Sequence, residues 1–195
     1  MSYSAKPKVL FAIFASAFSM SAMASDSGNP ILAANNEVGI AAVGTLMNYQ
    51  EHLPSPSDIE SGWMPGFEVK YSLMGNHFKE FLSNMYFAVH YQYNSSSISY
   101  QGAVGKRPYD GTDAATTNRV LAKLGKGFEL SNSMMLTPYV AGGYQNWNRD
   151  LKGRYGYTED YSSGLIGVGA MFQYAATDRL VLTVNAEGLA LVGGG

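Results

Sequence analysis

From residue 37 onward, apolar and polar side chains alternate with period two in seven separate segments, and no stretch there is apolar for the roughly 20 residues that a membrane-crossing helix requires. Such alternation puts one set of side chains on each face of an extended strand, so it commits the chain to β-sheet. At 85–94, Met85, Phe87, Val89, Tyr91 and Tyr93 oppose Ala88, His90, Gln92 and Asn94. At 67–73, Phe67, Val69, Tyr71 and Leu73 oppose Glu68, Lys70 and Ser72. At 119–130, Val120, Ala122, Leu124, Phe128 and Leu130 oppose Arg119, Lys123 and Glu129. Segments 166–174 and 180–186 repeat the pattern, with Gln173, Thr183, Asn185 and Glu187 on their polar faces. Segments 37–50 and 136–148 are glycine-rich and alternate less evenly.

Composition narrows the class. Only 14% of residues are charged, against about 25% in ordinary soluble domains, while 22 of 195 are glycine. That excludes disorder, which needs low hydrophobicity and high net charge, and a nucleic-acid binder, which needs a basic surplus. With no cysteine and three histidines, neither a disulfide framework nor a thiolate metal site is available, and no cofactor is expected. At the N-terminus, Lys6 and Lys8 precede an apolar run over 9–18, and Ala22-Met23-Ala24 supplies the small residues a signal peptidase reads. The expected organisation is a cleaved signal over 1–24, an N-terminal extension over 25–35 and a single barrel domain over 36–195. Without Lys6 and Lys8 the chain carries 11 basic against 15 acidic residues, so it is no polybasic membrane-surface binder.

Which face turns inward decides the architecture. In a soluble sandwich the apolar face is the core; in an outer-membrane barrel it meets lipid, and the polar face fills the lumen. Aromatics near the ends of the apolar faces, Tyr91, Tyr93, Phe128, Tyr144, Phe172 and Tyr174, suit interfacial girdles. Long polar connections, 51–65, 95–117 and 149–160, alternate with the short turns 131–133 and 175–178, although 74–83 is longer than those turns. Long loops on one rim and short turns on the other are the outer-membrane pattern. The polar faces balance Glu68, Glu129 and Glu187 against Lys70, Arg119 and Lys123, so charges inside a narrow barrel have partners. The expectation is an all-β, antiparallel up-and-down transmembrane β-barrel, with Glu68, Lys70, His90, Arg119, Lys123 and Glu187 as a lumen polar network.

The chain resembles the small OmpA/OmpX-like outer-membrane β-barrels of Gram-negative bacteria, which have eight strands. The residues that carry the resemblance are the signal peptide, Glu37-Val38-Gly39-Ile40, Thr137-Pro138-Tyr139-Val140-Ala141-Gly142-Gly143-Tyr144 and Gly164-Leu165-Ile166-Gly167-Val168-Gly169. It implies a monomer in the outer membrane, with lipid and lipopolysaccharide as surroundings. Seven strands are visible of the eight expected. The chain finishes on Leu191-Val192-Gly193-Gly194-Gly195 without a terminal aromatic strand, so a missing C-terminal strand and a gap between the first and seventh strands are expected.

Chemistry is less legible. His90 with Ser95, Ser96 and Ser97 sketches a hydrolase. The His-x-Ser arrangement of lipid A deacylases is not reproduced, since Gln92 stands two residues after His90. A lumen histidine bonded to its neighbours is the plainer reading. His52 and His77 are isolated, in a loop and a turn. The acids Asp110, Asp113, Asp150, Glu159 and Asp160 are read as loop residues able at most to gather round a cation. Tyr100, Tyr109, Trp147, Tyr155 and Tyr157 offer aromatic area in or beside the long loops, for an extracellular ligand or for the lipid interface. The functional expectation is a non-enzymatic barrel presenting surface loops, in a structural or surface-recognition role. The alternatives are a small passive pore and, behind it, a barrel-embedded lipid hydrolase.

Overall fold

The computed structural model describes residues 9–10, 28–50, 58–75, 83–104 and 107–194. One short helix, α1 (Pro30–Ala34), accompanies nine strands: β1 (Val9–Leu10), β2 (Glu37–Gln50), β3 (Ile59–Gly75), β4 (Met85–Val104), β5 (Arg107–Lys126), β6 (Phe128–Ser131), β7 (Met134–Asp150), β8 (Thr158–Thr177) and β9 (Leu180–Val192). All pairings are antiparallel, in the order β1-β9-β8-β7-β5-β4-β3-β2, with β6 continuing the β5 side of β7. The long strands make a curled half-barrel of up-and-down connectivity. The sheet ends at β2 on one side, while the outer edge of β9 carries Val9 opposite Ala190 and Leu10 opposite Leu189. Val9 and Leu10 are the described part of the expected leader. His52 and His77 lie outside the described residues.

Curvature comes from the inner face. A Cβ at Gly66 would stand 1.8 Å from the Tyr93 carbonyl oxygen of the next strand, and one at Gly143 would stand 2.1 Å from that of Val120. Only glycine lets neighbouring backbones approach so closely at these bends. The lower end is plugged by α1. Asn29 caps it, its Oδ1 accepting from the Ile31 N–H at 2.9 Å, and Pro30 needs no donor at the first helical position. Ile31 and Leu32 are buried against Met74, Tyr86, Met135, Tyr139 and Met171.

Two expectations need correction. The 119–130 strand is interrupted at Gly127, whose N–H goes to the Asn84 carbonyl at 2.8 Å, and resumes as β6. Strand takes up nearly all of 95–117 and the described 59–65 of the first long loop, but only the two flanks of 149–160, whose middle stays outside the strands. Residues 95–104 and 107–117 continue β4 and β5 as a hairpin, 59–65 belong to β3, and 149–150 and 158–160 extend β7 and β8. The alternation persists through them with reversed chemistry: Ile98 and Tyr100 point inward and are buried, while Ser97, Ser99 and Gln101 are exposed. Polar composition had the look of a loop only because the outward face of these extensions is polar.

Candidate functional site

On the outer surface of the sheet stand Val38, Ile40, Leu46, Trp63, Val120, Val140, Ile166, Val168, Leu182 and Val184, each at least 45% exposed. On β5, β7 and β8 the belt stops at a line of polar residues aligned in register, Asn118 opposite Asn146 and Asn146 opposite Ser162, whereas on β2 and β3 it runs on to the Leu46–Trp63 pair beyond that register. Tyrosines tie the line down: Tyr91 OH donates to Asn118 Oδ1 at 2.9 Å, and Tyr144 OH to Ser162 Oγ at 2.6 Å.

Behind the belt the interior is charged and paired. The Lys123 ammonium donates to Glu187 Oε2 at 2.6 Å, both side chains being 7% exposed. Tyr139 OH adds bonds to Glu187 Oε2 at 3.0 Å and to Asn185 Oδ1 at 2.8 Å, and Lys123 Nζ lies 5.0 Å from the Tyr139 ring centre. His90 Nδ1 sits 3.1 Å from Glu68 Oε1, and Lys70 pairs with Glu37. Arg119 donates to Gln92 Oε1, and Gln92 Nε2 passes the network to Asn94 Oδ1 at 2.6 Å and Thr45 Oγ1 at 3.1 Å. Six residues that strand parity placed on one face, Glu68, Lys70, His90, Arg119, Lys123 and Glu187, thus meet inside the sheet. Glu37, on the inward face of β2, was missed; its odd-numbered parity with Gly39 and Ala41 was the available signal. Breaking one member of such a buried pair leaves an uncompensated charge, a loss of about 3–5 kcal/mol.

Side chains occupy most of this interior. A cavity of about 100 Å³ borders Lys70, Tyr86, Tyr139 and Met171, and another of about 90 Å³ borders Gln92, Arg119 and Glu187. Glu68, His90, Lys123 and Asn185 line both. Glu68 holds His90 as a carboxylate would hold a catalytic base, and His90 Nε2 is buried without a partner among the described residues. No serine lines either cavity among the described residues, so the nucleophile sketched from Ser95, Ser96 and Ser97 is not brought to the imidazole.

Above the belt the interior changes again. Met47, Met64, Ile98, Ala115 and Trp147 form a second apolar core, closed over by Arg149. The Arg149 guanidinium lies 5.4–5.8 Å from the ring centres of Tyr49, Trp147, Tyr157 and Tyr161, and donates to Glu60 and, at 2.7 Å, to Glu159 Oε2. Arg149, Glu60 and Asp113 are buried, so the acids of this end do not gather as a loop cluster. Among the described residues no group of three or more histidines and acids is placed to hold a metal. Of the recognition aromatics, Tyr100 at 4% and Trp147 at 7% exposure belong to the packed interior, which removes them from any outer surface. Tyr155 and Tyr157 are exposed at 50% and 37%. Tyr109 joins the two groups, 6.2 Å from Tyr100 and 5.9 Å edge-on to Tyr155, while Arg154 stacks on Tyr155 at 5.8 Å.

Fold and interior define an antiparallel, barrel-like β-sheet with an apolar exterior belt and an ion-paired core. No protein-family model, curated protein or solved structure matches the chain.

Proposed function

We propose that this chain is a non-enzymatic outer-membrane β-barrel protein of the OmpA/OmpX-like kind, exported by a cleaved signal, which holds a surface platform above the bilayer. The reading is carried by the inversion of polarity across the Asn118–Asn146–Ser162 line. On β4, β5, β7 and β8 the wall below it is apolar outside and charged inside, and the wall above it is polar outside with the Met64–Ile98–Trp147 core inside, capped by Arg149. A wall surrounded by water throughout has no use for exposed Val168 and Val184 at 65% and 68%. A wall half in lipid requires them, because burying that belt in hydrocarbon returns about 25 cal/mol per Å² of apolar surface. In hydrocarbon only helices and closed barrels satisfy every backbone polar group, so on this reading the strands cross the bilayer.

The platform consists of Tyr155 and Tyr157 with Lys152 and Arg154, propped on Tyr109 and the buried Tyr100. Rigid amphipathic rings flanked by cations suit recognition of an extracellular ligand or of the anionic sugar heads of lipopolysaccharide. The test is an epitope inserted between Gly153 and Arg154 in the full chain, exported in a Gram-negative cell. Antibody labelling of intact cells is expected; labelling that needs permeabilised cells contradicts the reading. Two cavities separated by paired side chains argue against the passive pore, and steady channels in planar bilayers would restore it. Hydrolysis of radiolabelled lipid A, abolished by His90→Ala, would establish the hydrolase instead.

A further inference from the structure

The upper ends of β3, β5, β7 and β8 bring charged side chains together where water does not reach. Glu60 and Asp113 are both 0% exposed, and Arg149 is 4% exposed. One oxygen of each acid has a donor: Glu60 Oε1 takes Arg149 Nη2, and Asp113 Oδ1 takes the Asp150 backbone N–H at 2.7 Å. The second oxygens, Glu60 Oε2 and Asp113 Oδ2, are shut off from solvent with no donor among the described residues. The two carboxyls lie within hydrogen-bonding reach of each other.

Two ionised carboxylates so close would repel, each with an unsatisfied oxygen, in a medium where a buried charge needs a partner. Arg149 cannot neutralise both, because its Nη1 is committed to Glu159 Oε2 at 2.7 Å and to the Tyr161 hydroxyl at 3.3 Å. The other groups facing this centre are Tyr49 from β2, Asp58 beside β3, Tyr100 from β4 and Tyr157 before β8. The tyrosines cannot exchange the missing proton near neutrality. Burial and the bond to Asp58 push Tyr100 up, burial pushes Tyr157 up, and burial with the bond to Glu159 pushes Tyr161 up to about 12.

We propose that Glu60 and Asp113 share a single proton, and that this proton latches the extension of β3 to that of β5 beneath Arg149. One hydrogen between Oε2 and Oδ2 satisfies both orphan oxygens and leaves one negative charge for the one guanidinium edge that faces it. Burial raises the Glu60 carboxyl to about 7 against the opposing pull of Arg149, with Asp113 adding to the rise. The folded latch therefore holds a proton that the unfolded chain releases near 4.5. Its stability is complete below that pH and is lost as pH rises toward about 7.

The experiment is a pH titration of the full refolded chain in detergent micelles, read by difference infrared spectroscopy and by amide hydrogen exchange corrected for its intrinsic pH dependence. The expected result is a carboxylic-acid C=O band that disappears with a midpoint near pH 7, with about tenfold faster exchange at 98–101 and 110–114 on the alkaline side. Glu60→Gln and Asp113→Asn, which each place a permanent donor between the two groups, should remove the band and make that exchange independent of pH. A wild-type protein without a protonated carboxyl above pH 6, or a band that survives both substitutions, overturns the proposal. So does calcium alone restoring protection at alkaline pH, since the pair then holds a metal rather than a proton. If either variant fails to fold, the wild-type titration decides.

Discussion

The lower wall and the upper extensions are the same strands, yet they are built inside out from one another. Along β4, the outward residues run Phe87, Val89, Tyr91 and Tyr93 and then Ser95, Ser97 and Ser99, while the inward ones run His90, Gln92 and Asn94 and then Ile98 and Tyr100. β7 does the same, outward from Val140 and Tyr144 to Asn146 and Asn148, and inward from Tyr139 to Trp147. Backbone hydrogen bonding and register cross the boundary unchanged. The swap of faces therefore reports a change in what surrounds the sheet. The lower half hides its polar groups from its surroundings, and the upper half hides its apolar ones.

The difference sets how each half should fail. The largest effect is expected inside the wall, where Lys123→Met strands Glu187 in the interior at a loss of about 3–5 kcal/mol in urea titrations of vesicle-refolded protein. Lys123→Met with Glu187→Leu should recover most of that loss, because both charges leave together. Outside the wall, Val168→Arg should lose about 2–4 kcal/mol in the same assay, whereas Ser99→Arg on the extension should stay within about 0.5 kcal/mol. Equal losses at the two positions would erase the distinction between the halves. In the upper core, Met64→Ala should fall at the low end of the usual range of about 2–5 kcal/mol, since that end of the sheet is free to collapse. Faster amide exchange confined to the extensions, with the heat-modifiable gel band retained, would locate the damage there. Among the disruptive changes the smallest loss is expected at the plug, where Asn29→Ala removes the cap of α1 at about 1 kcal/mol and loosens the lower end alone.

The lower wall was largely legible because its alternation is chemically one-sided. The segment 37–50 coincides with β2, and parity alone collected Glu68, Lys70, His90, Arg119, Lys123 and Glu187 onto one face. Parity does not specify partners: that Lys70 takes Glu37 and Lys123 takes Glu187 depends on where inward side chains converge across a curled sheet. The extensions were missed because serine, threonine and aspartate on an outward face have the composition of a loop. Ile98 and Tyr100 between Ser97, Ser99 and Gln101 were the surviving period-two signal, with its polarity reversed. Arg149, Glu60 and Asp113 fell in those stretches, so their convergence had no sequence trace beyond charge. Helix α1 hid in the extension 25–35, where Asn29 followed by Pro30 was its start signal.

The chain has two tryptophans, one on the outer face of the sheet and one on the inner. Trp63 lies on the outer belt against Gly44 at 60% exposure, and Trp147 is packed in the upper core at 7%. Fluorescence of Trp147→Phe, refolded into vesicles whose phospholipids carry bromine near the headgroup end of the acyl chains, tests the lipid-facing belt most directly. Strong quenching of Trp63, with Trp147 of the Trp63→Phe protein left bright in the same vesicles, is the predicted result. A folded protein whose Trp63 is untouched by brominated lipid and quenched instead by aqueous acrylamide would contradict it, because the exposed belt would then face water.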